Sequence, residues 1–100
     1  MNQLLAMRVF VRVVETGSFS QAAGQLMLPR STVSKLVTDL EKHLRISLIQ
    51  RTTRTVSITS EGLEYYHHAQ RLISELDEID SALSGRKLRP SGHLRIDVPV

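Results

Sequence analysis

Residues 18–44 read SFSQAAGQLMLPRSTVSKLVTDLEKHL, and two helices joined by a tight turn account for them. Ser18 opens the first. Its hydroxyl can cap the backbone N–H of Gln21, whose side chain can reach back, so S-x-x-Q reads as a capping box. The helix Phe19 to Met27 is short, and Ala22 and Ala23 lack the bulk to keep a crossing helix away. Leu28-Pro29 forces an extended or turn conformation before the chain restarts. In the second helix, about Arg30 to Leu44, the apolar residues Val33, Leu36, Val37, Leu40 and Leu44 fall at i, i+3, i+4, i+7 and i+11. The opposite face carries Arg30, Ser31, Ser34, Lys35, Thr38 and Lys42. A second helix that presents small polar and basic residues near its N-terminus describes a helix-turn-helix.

The flanks extend this unit. Leu4 to Glu15 has helical spacing on two faces, Leu4, Met7, Val11 and Val14 on one and Ala6, Phe10 and Val13 on the other, so burial on most sides is expected. Thr16-Gly17 ends that helix, with glycine suited to a left-handed C-terminal residue. Within Ser47–Ile58, Arg51-Thr52-Thr53-Arg54 lies between Leu48-Ile49 and the alternating Val56-Ser57-Ile58, which reads as a small β-hairpin with a basic tip, a wing. No Asn-Gly or other glycine turn specifies its type.

From Thr59 the pattern is helical for about 26 residues, roughly 37 Å at 1.5 Å per residue. Tyr65, Ala69, Leu72, Leu76, Ile79 and Leu83 are spaced 4, 3, 4, 3, 4, the seam of a coiled coil or antiparallel pair. So small a domain cannot cover that seam, and a partner helix is expected. Gly85 is expected to end the helix, residues 86–92 to form a linker, and His93–Val98 to begin a strand. A strand with nothing after it to pair with suggests a piece of a longer protein. The domains expected are therefore 1–58, 59–84 and 85–100, in a mainly α fold of three helices, a hairpin wing and a long dimerisation helix.

One hundred residues with 41% hydrophobic content suit one folded domain with an aliphatic core, since only four are aromatic and none is Trp. With no cysteine, disulfides, Cys-based zinc sites and thiol nucleophiles are excluded. No apolar run approaches the roughly 18 residues of a membrane span, and Met1–Leu5 lacks a signal peptide's layout. A cytoplasmic, nucleoid-associated protein without a membrane partner is expected. The net charge of +3 is unevenly spread. Residues 1–58 hold eight basic against three acidic side chains, and residues 59–84 hold one against six. A basic first half beside an acidic helix suits a nucleic-acid reader on a non-binding stalk.

Three strings carry a resemblance over residues 4–98. They are Phe10-x-x-Val13-Val14-Glu15-x-Gly17-Ser18-Phe19-Ser20-x-Ala22-Ala23, then Ser31-x-Val33-Ser34-x-x-Val37-x-x-Leu40-Glu41, then Leu48-Ile49-x-Arg51-x-x-Arg54-x-Val56-x-Ile58-Thr59-x-x-Gly62. Together they resemble the N-terminal third of LysR-type transcriptional regulators. The resemblance implies a transcription factor that binds double-stranded DNA as a homodimer, often a tetramer when full length. It implies no cofactor in these 100 residues and a small-molecule co-inducer for a C-terminal domain. By the same resemblance the third helix enters the major groove, with Arg30, Ser31, Thr32, Ser34, Lys35 and Thr38 toward DNA. Ser18, Phe19 and Ser20 would set the second helix's N-terminal amides at a phosphate, and Arg54 would enter the minor groove. Two departures stand out. Pro29 replaces a common capping Ser or Thr, so the helix start could shift. Arg30 replaces a frequent Gln, and Arg favours guanine where Gln suits adenine.

Among the basic residues, Arg30 and Lys35 are candidates for base reading or phosphate clamping, and Arg51 for a phosphate or a structural contact with the long helix. Arg45, at a helix C-terminus, reads as complementing the dipole. His43 and His67-His68 lack the spacing of a metal site, and no nucleophile elbow or glycine-rich phosphate loop frames the Ser, His and Asp residues, so neither metal nor catalytic residues are expected. Tyr65 and Tyr66 are expected to pack where the long helix leaves the wing. A coiled-coil adaptor and a sequence-neutral nucleoid protein are the rival classes. The basic wing argues against the first, and operator preference would exclude the second.

Overall fold

The computed structural model describes residues 1–51 and 56–88, without the side chains of 85–88. Helices α1 (Gln3–Thr16), α2 (Phe19–Leu26) and α3 (Arg30–Leu44) precede strands β1 (Ile49–Arg51) and β2 (Val56–Ile58) and helix α4 (Ser60–Leu88). This is a winged helix-turn-helix followed by a long helix. It divides into two units, Met1–Gln70 and a second that begins at Arg71.

Local chemistry sets the boundaries. Asn2 caps α1 by accepting from the Leu5 N–H at 3.1 Å. At its other end Gly17 takes φ 70° and donates to the Val13 carbonyl at 2.8 Å. Ser18 accepts from the Gln21 N–H at 3.1 Å, as the capping box requires. Helix α2 stops one residue earlier than expected because Met27 turns left-handed at φ 58°. Pro29 offers no side-chain cap, yet α3 still begins at Arg30. The Pro29 carbonyl receives the Thr32 and Val33 N–H groups at 3.0 and 3.1 Å, so the helix start has not moved.

The core is aliphatic, as the composition implies. Ala6, Val9, Phe10 and Val13 of α1 meet Phe19, Ala22 and Ala23 of α2, Val33, Val37 and Leu40 of α3, and Leu48 and Ile49. The second apolar face of α1 is only partly covered, and Leu4 and Leu5 remain exposed.

The hairpin is antiparallel with Ile49 opposite Ile58, Gln50 opposite Ser57 and Arg51 opposite Val56. Three residues anchor it. Glu41 Oε2 accepts from the Leu48 and Ile49 N–H groups at 2.8 and 3.1 Å. Thr59 donates its hydroxyl to the Ser47 carbonyl at 2.6 Å and accepts from the Gly62 N–H at 2.8 Å, capping α4 while holding the hairpin's start. Gly62 lies so close that a Cβ would overlap the Leu48 carbonyl.

Helix α4 starts against the hairpin at Gly62, and one turn later its tyrosines pack on α1. The Tyr65 ring tilts onto Phe10 with centroids 5.7 Å apart, and the Tyr66 hydroxyl donates to Glu15 at 3.4 Å. Ala69 is only 1% exposed. Tyr65 and Ala69, expected in a dimer seam, are therefore packing residues of the first unit. The helix also continues through Gly85 to Leu88. A glycine inside a helix costs only about 1 kcal/mol, so Gly85 alone does not end it. The linker and strand expected beyond Leu88 lie outside the described residues.

The Tyr65 hydroxyl is shielded without a well-formed hydrogen bond. Burial raises its pKa above 10.0, opposed by the nearby Gln3 side chain. A raised pKa means that the folded chain keeps this proton where the unfolded chain has lost it. Its contribution is therefore complete below pH 10 and is lost as pH rises through the higher folded value. Tyr65→Phe is expected to leave stability at pH 7 unchanged or raised by about 1 kcal/mol. Denaturation series from pH 8 to 11 should show a smaller loss above pH 10 in the variant.

Candidate nucleic-acid interface

The candidate residues come from three elements. Helix α2 supplies its first turn. Ser18 occupies the Gln21 N–H, while Ser20 is exposed beside first-turn amides that an α-helix cannot itself satisfy. Helix α3 supplies exposed Arg30, Ser31 and Lys35, with Thr32, Ser34 and Thr38 half-buried. Its first turn holds no acidic residue, so nothing there repels an anion. Strand β1 supplies Arg51.

Contacts within the protein refine the expected roles. The Phe19 side chain is 5% exposed and belongs to the core, so it cannot lie against a phosphate. Only its backbone amide is available for that. The Arg51 guanidinium lies 5.1 Å from the Phe19 ring centroid, donates to the Thr38 hydroxyl at 3.3 Å and sits 3.8 Å from Glu41. Its described contacts are with α2 and α3, not with the long helix. Thr38, expected to face DNA, accepts a hydrogen bond from Arg51 and stays half-exposed. Arg30 lies over the same Phe19 ring at 5.9 Å. Arg54 lies outside the described residues.

Lys35 bonds Asp39 at 2.9 Å, one turn along α3. That hydrogen bond, more than any other influence, holds the Asp39 carboxyl below its usual pKa. Asp39 is an acid beside the basic face, and a phosphate taking Lys35 must displace it. Asp39→Asn is expected to strengthen binding to random duplex about threefold at low salt and to steepen the salt dependence by roughly one ion. Fluorescence anisotropy over a salt series checks both.

The sequence pattern missed Glu41 and Asp39 as parts of this region. With Glu15 they are the three acids of a basic half, and Glu41 also stands in the second of the three strings, but neither signal gave them a partner. On α4, Leu72, Ile79 and Leu83 are 50–57% exposed, and Leu76 is half-buried. These four are what the structure leaves of the expected seam. Among the described residues no helix is long and apolar enough to cross a membrane.

Comparison with known proteins adds the following. The family model "Bacterial regulatory helix-turn-helix protein, lysR family" matches residues 4–63. An HTH-type transcriptional repressor of Pseudomonas aeruginosa is 46% identical over 97 residues, covering 97% of this chain and 31% of the relative. The HTH-type transcriptional regulator CrgA of Neisseria meningitidis is 45% identical over 89 residues, 89% of this chain and 30% of the relative. The chain thus spans just under a third of the length of these curated relatives. A crystal structure of the BenM DBD in complex with catB site 1 DNA superposes with a TM-score of 0.80 at 36% identity, over 91% of this chain and 98% of that one. Full-length BenM gives 0.73 at 38% identity, over 78% of this chain and 26% of that one.

Proposed function

Because the chain belongs to the LysR family of bacterial regulatory helix-turn-helix proteins, we propose that it is the DNA-binding part of a transcriptional regulator, acting as a homodimer on dyad-symmetric promoter sites. The observation that carries this is the exposed basic face of Arg30, Ser31 and Lys35 on α3, flanked by the α2 N-terminus and Arg51. The likeness to a BenM DBD bound to DNA supports it. In this reading α3 enters the major groove, where Arg30 or Lys35 reaches base edges or phosphate. The amides of Phe19 and Ser20 meet a phosphate, and Arg54 enters the minor groove from the wing. A small-molecule co-inducer would act on the remainder of a longer protein, in the cytoplasm at the nucleoid.

Two winged units joined through paired α4 helices would read two half-sites, so operator binding would depend on the second copy. Leu72, Leu76, Ile79 and Leu83 would form the seam. Leu76→Glu is expected to give a monomer at micromolar concentration and at least tenfold weaker operator binding, since a charge buried in an apolar seam is expelled. Sedimentation and anisotropy measure the two effects, and a monodisperse dimer for the variant would contradict the seam.

The function itself is tested by binding to the DNA upstream of the protein's own gene against a scrambled duplex across a salt series. Selective binding whose affinity falls steeply with salt is expected. Equal binding to both duplexes would point to a sequence-neutral nucleoid role.

A further inference from the structure

Phe19 is a core residue with an unusual set of neighbours, because two arginine guanidiniums from different elements gather on its ring. Arg30, the first residue of α3, lies over it at 5.9 Å, and Arg51, the last residue of β1, at 5.1 Å. Both distances fall within the range of a cation–π contact. An aromatic face attracts a guanidinium through its quadrupole and uses none of the five in-plane N–H donors, which remain available to an outside acceptor. A salt bridge would fix the same side chain only by occupying those donors.

The two arginines differ in what else holds them. Arg51 also donates to Thr38 and faces Glu41, so its guanidinium is fixed from three sides. For Arg30, the Phe19 ring is the side-chain partner found among the described residues. Arg30 is therefore oriented with its donors unspent, as a side chain that must present a two-pronged edge to guanine requires.

We infer that Phe19 is a positioning residue for base recognition: its ring orients Arg30 at the start of the recognition helix and ties that orientation, through Arg51, to the base of the wing. This deepens the DNA-binding reading above and rests on it. The ring itself never touches DNA. Its role is to reduce the orientations Arg30 must give up on binding, so its removal should lower discrimination more than affinity for random duplex.

The test is a double-mutant cycle on operator binding with Phe19→Leu, Arg30→Gln and the pair. Phe19→Leu keeps an apolar side chain at the site and removes the π face. It is expected to weaken operator binding about tenfold and random-duplex binding by a clearly smaller factor. In the Arg30→Gln background the same substitution should weaken operator binding less than about threefold, which shows the coupling. Equal losses in both backgrounds would make Phe19 mere core filling and overturn the inference. If Phe19→Leu does not fold, proton NMR of the unaltered chain decides instead. The Arg30 and Arg51 side-chain protons should be shifted upfield by the ring current, and ordinary shifts would overturn it. Failure of the unaltered chain to select any operator over scrambled duplex would sink the operator-reading function on which this rests, a different outcome from additive losses.

Discussion

Gly62→Ala is expected to destabilise the first unit by about 3 kcal/mol, at the upper end of what overpacking costs. An added Cβ would overlap the Leu48 carbonyl oxygen and come within 2.8 Å of Ile58 Cγ1. Ile58 could turn away, but the Leu48 carbonyl cannot. It already accepts from the Thr59 N–H at 3.0 Å and from the Thr59 hydroxyl at 3.2 Å. On its other side the Leu48 N–H is held by Glu41. Relief would require moving α4 away from the hairpin, which would strip Tyr65 from Phe10 and uncover Ala69. Urea denaturation of the variant measures the loss. A change below about 0.5 kcal/mol would mean that α4 does not start against Leu48 as described, since that is the size of an ordinary surface substitution.

The second large effect belongs to Glu41. Its carboxylate receives two backbone N–H groups and is only 15% exposed, with Arg51 beside it at 3.8 Å. Glu41→Ala leaves the Leu48 and Ile49 N–H groups without this acceptor and removes the carboxylate beside Arg51. Charge-assisted hydrogen bonds of this kind contribute about 1.5–3 kcal/mol each, so a loss of about 3 kcal/mol is expected. Glu41→Gln retains an acceptor oxygen and should lose about 1 kcal/mol. Glutamine has nearly the volume of glutamate, so its loss measures the charge, whereas alanine removes the hydrogen bonds and the side-chain packing together. Equal losses would place the effect in the charge alone. In DNA binding, the alanine variant should discriminate less, since an Arg51 released from Glu41 no longer holds one orientation.

Much of this was legible in the sequence because it rests on local chemistry. The capping serine at Ser18, the glycine stop at Gly17 and the apolar spacing of α3 each act within four or five residues. Helix α3 was therefore read to its exact bounds. What pattern could not resolve was which partner each apolar residue meets. Tyr65 and Ala69 continue the spacing of Leu72 and Leu76, yet they fall in the first unit, where Tyr65 meets Phe10 of α1 and Ala69 is buried. A heptad seam and a core-facing stripe have the same period, so spacing alone cannot mark where one becomes the other. The same limit hid the double role of Phe19. The resemblance assigned its stretch of backbone to a phosphate, and nothing in that string showed its side chain buried among α1, α2 and α3. The hydrogen bonds of Glu41 were equally invisible, because its partners are seven and eight residues away along the chain.

The most direct test of the central claim, that the α2–α3–β1 face is what meets DNA, is a titration of the isotopically labelled chain with operator duplex, followed through its backbone amide signals. Shifts should concentrate at Ser18–Ser20, Arg30–Lys35 and Arg51, and remain small at Leu72–Leu83. Shifts centred on α4, or spread evenly over the molecule, would contradict it.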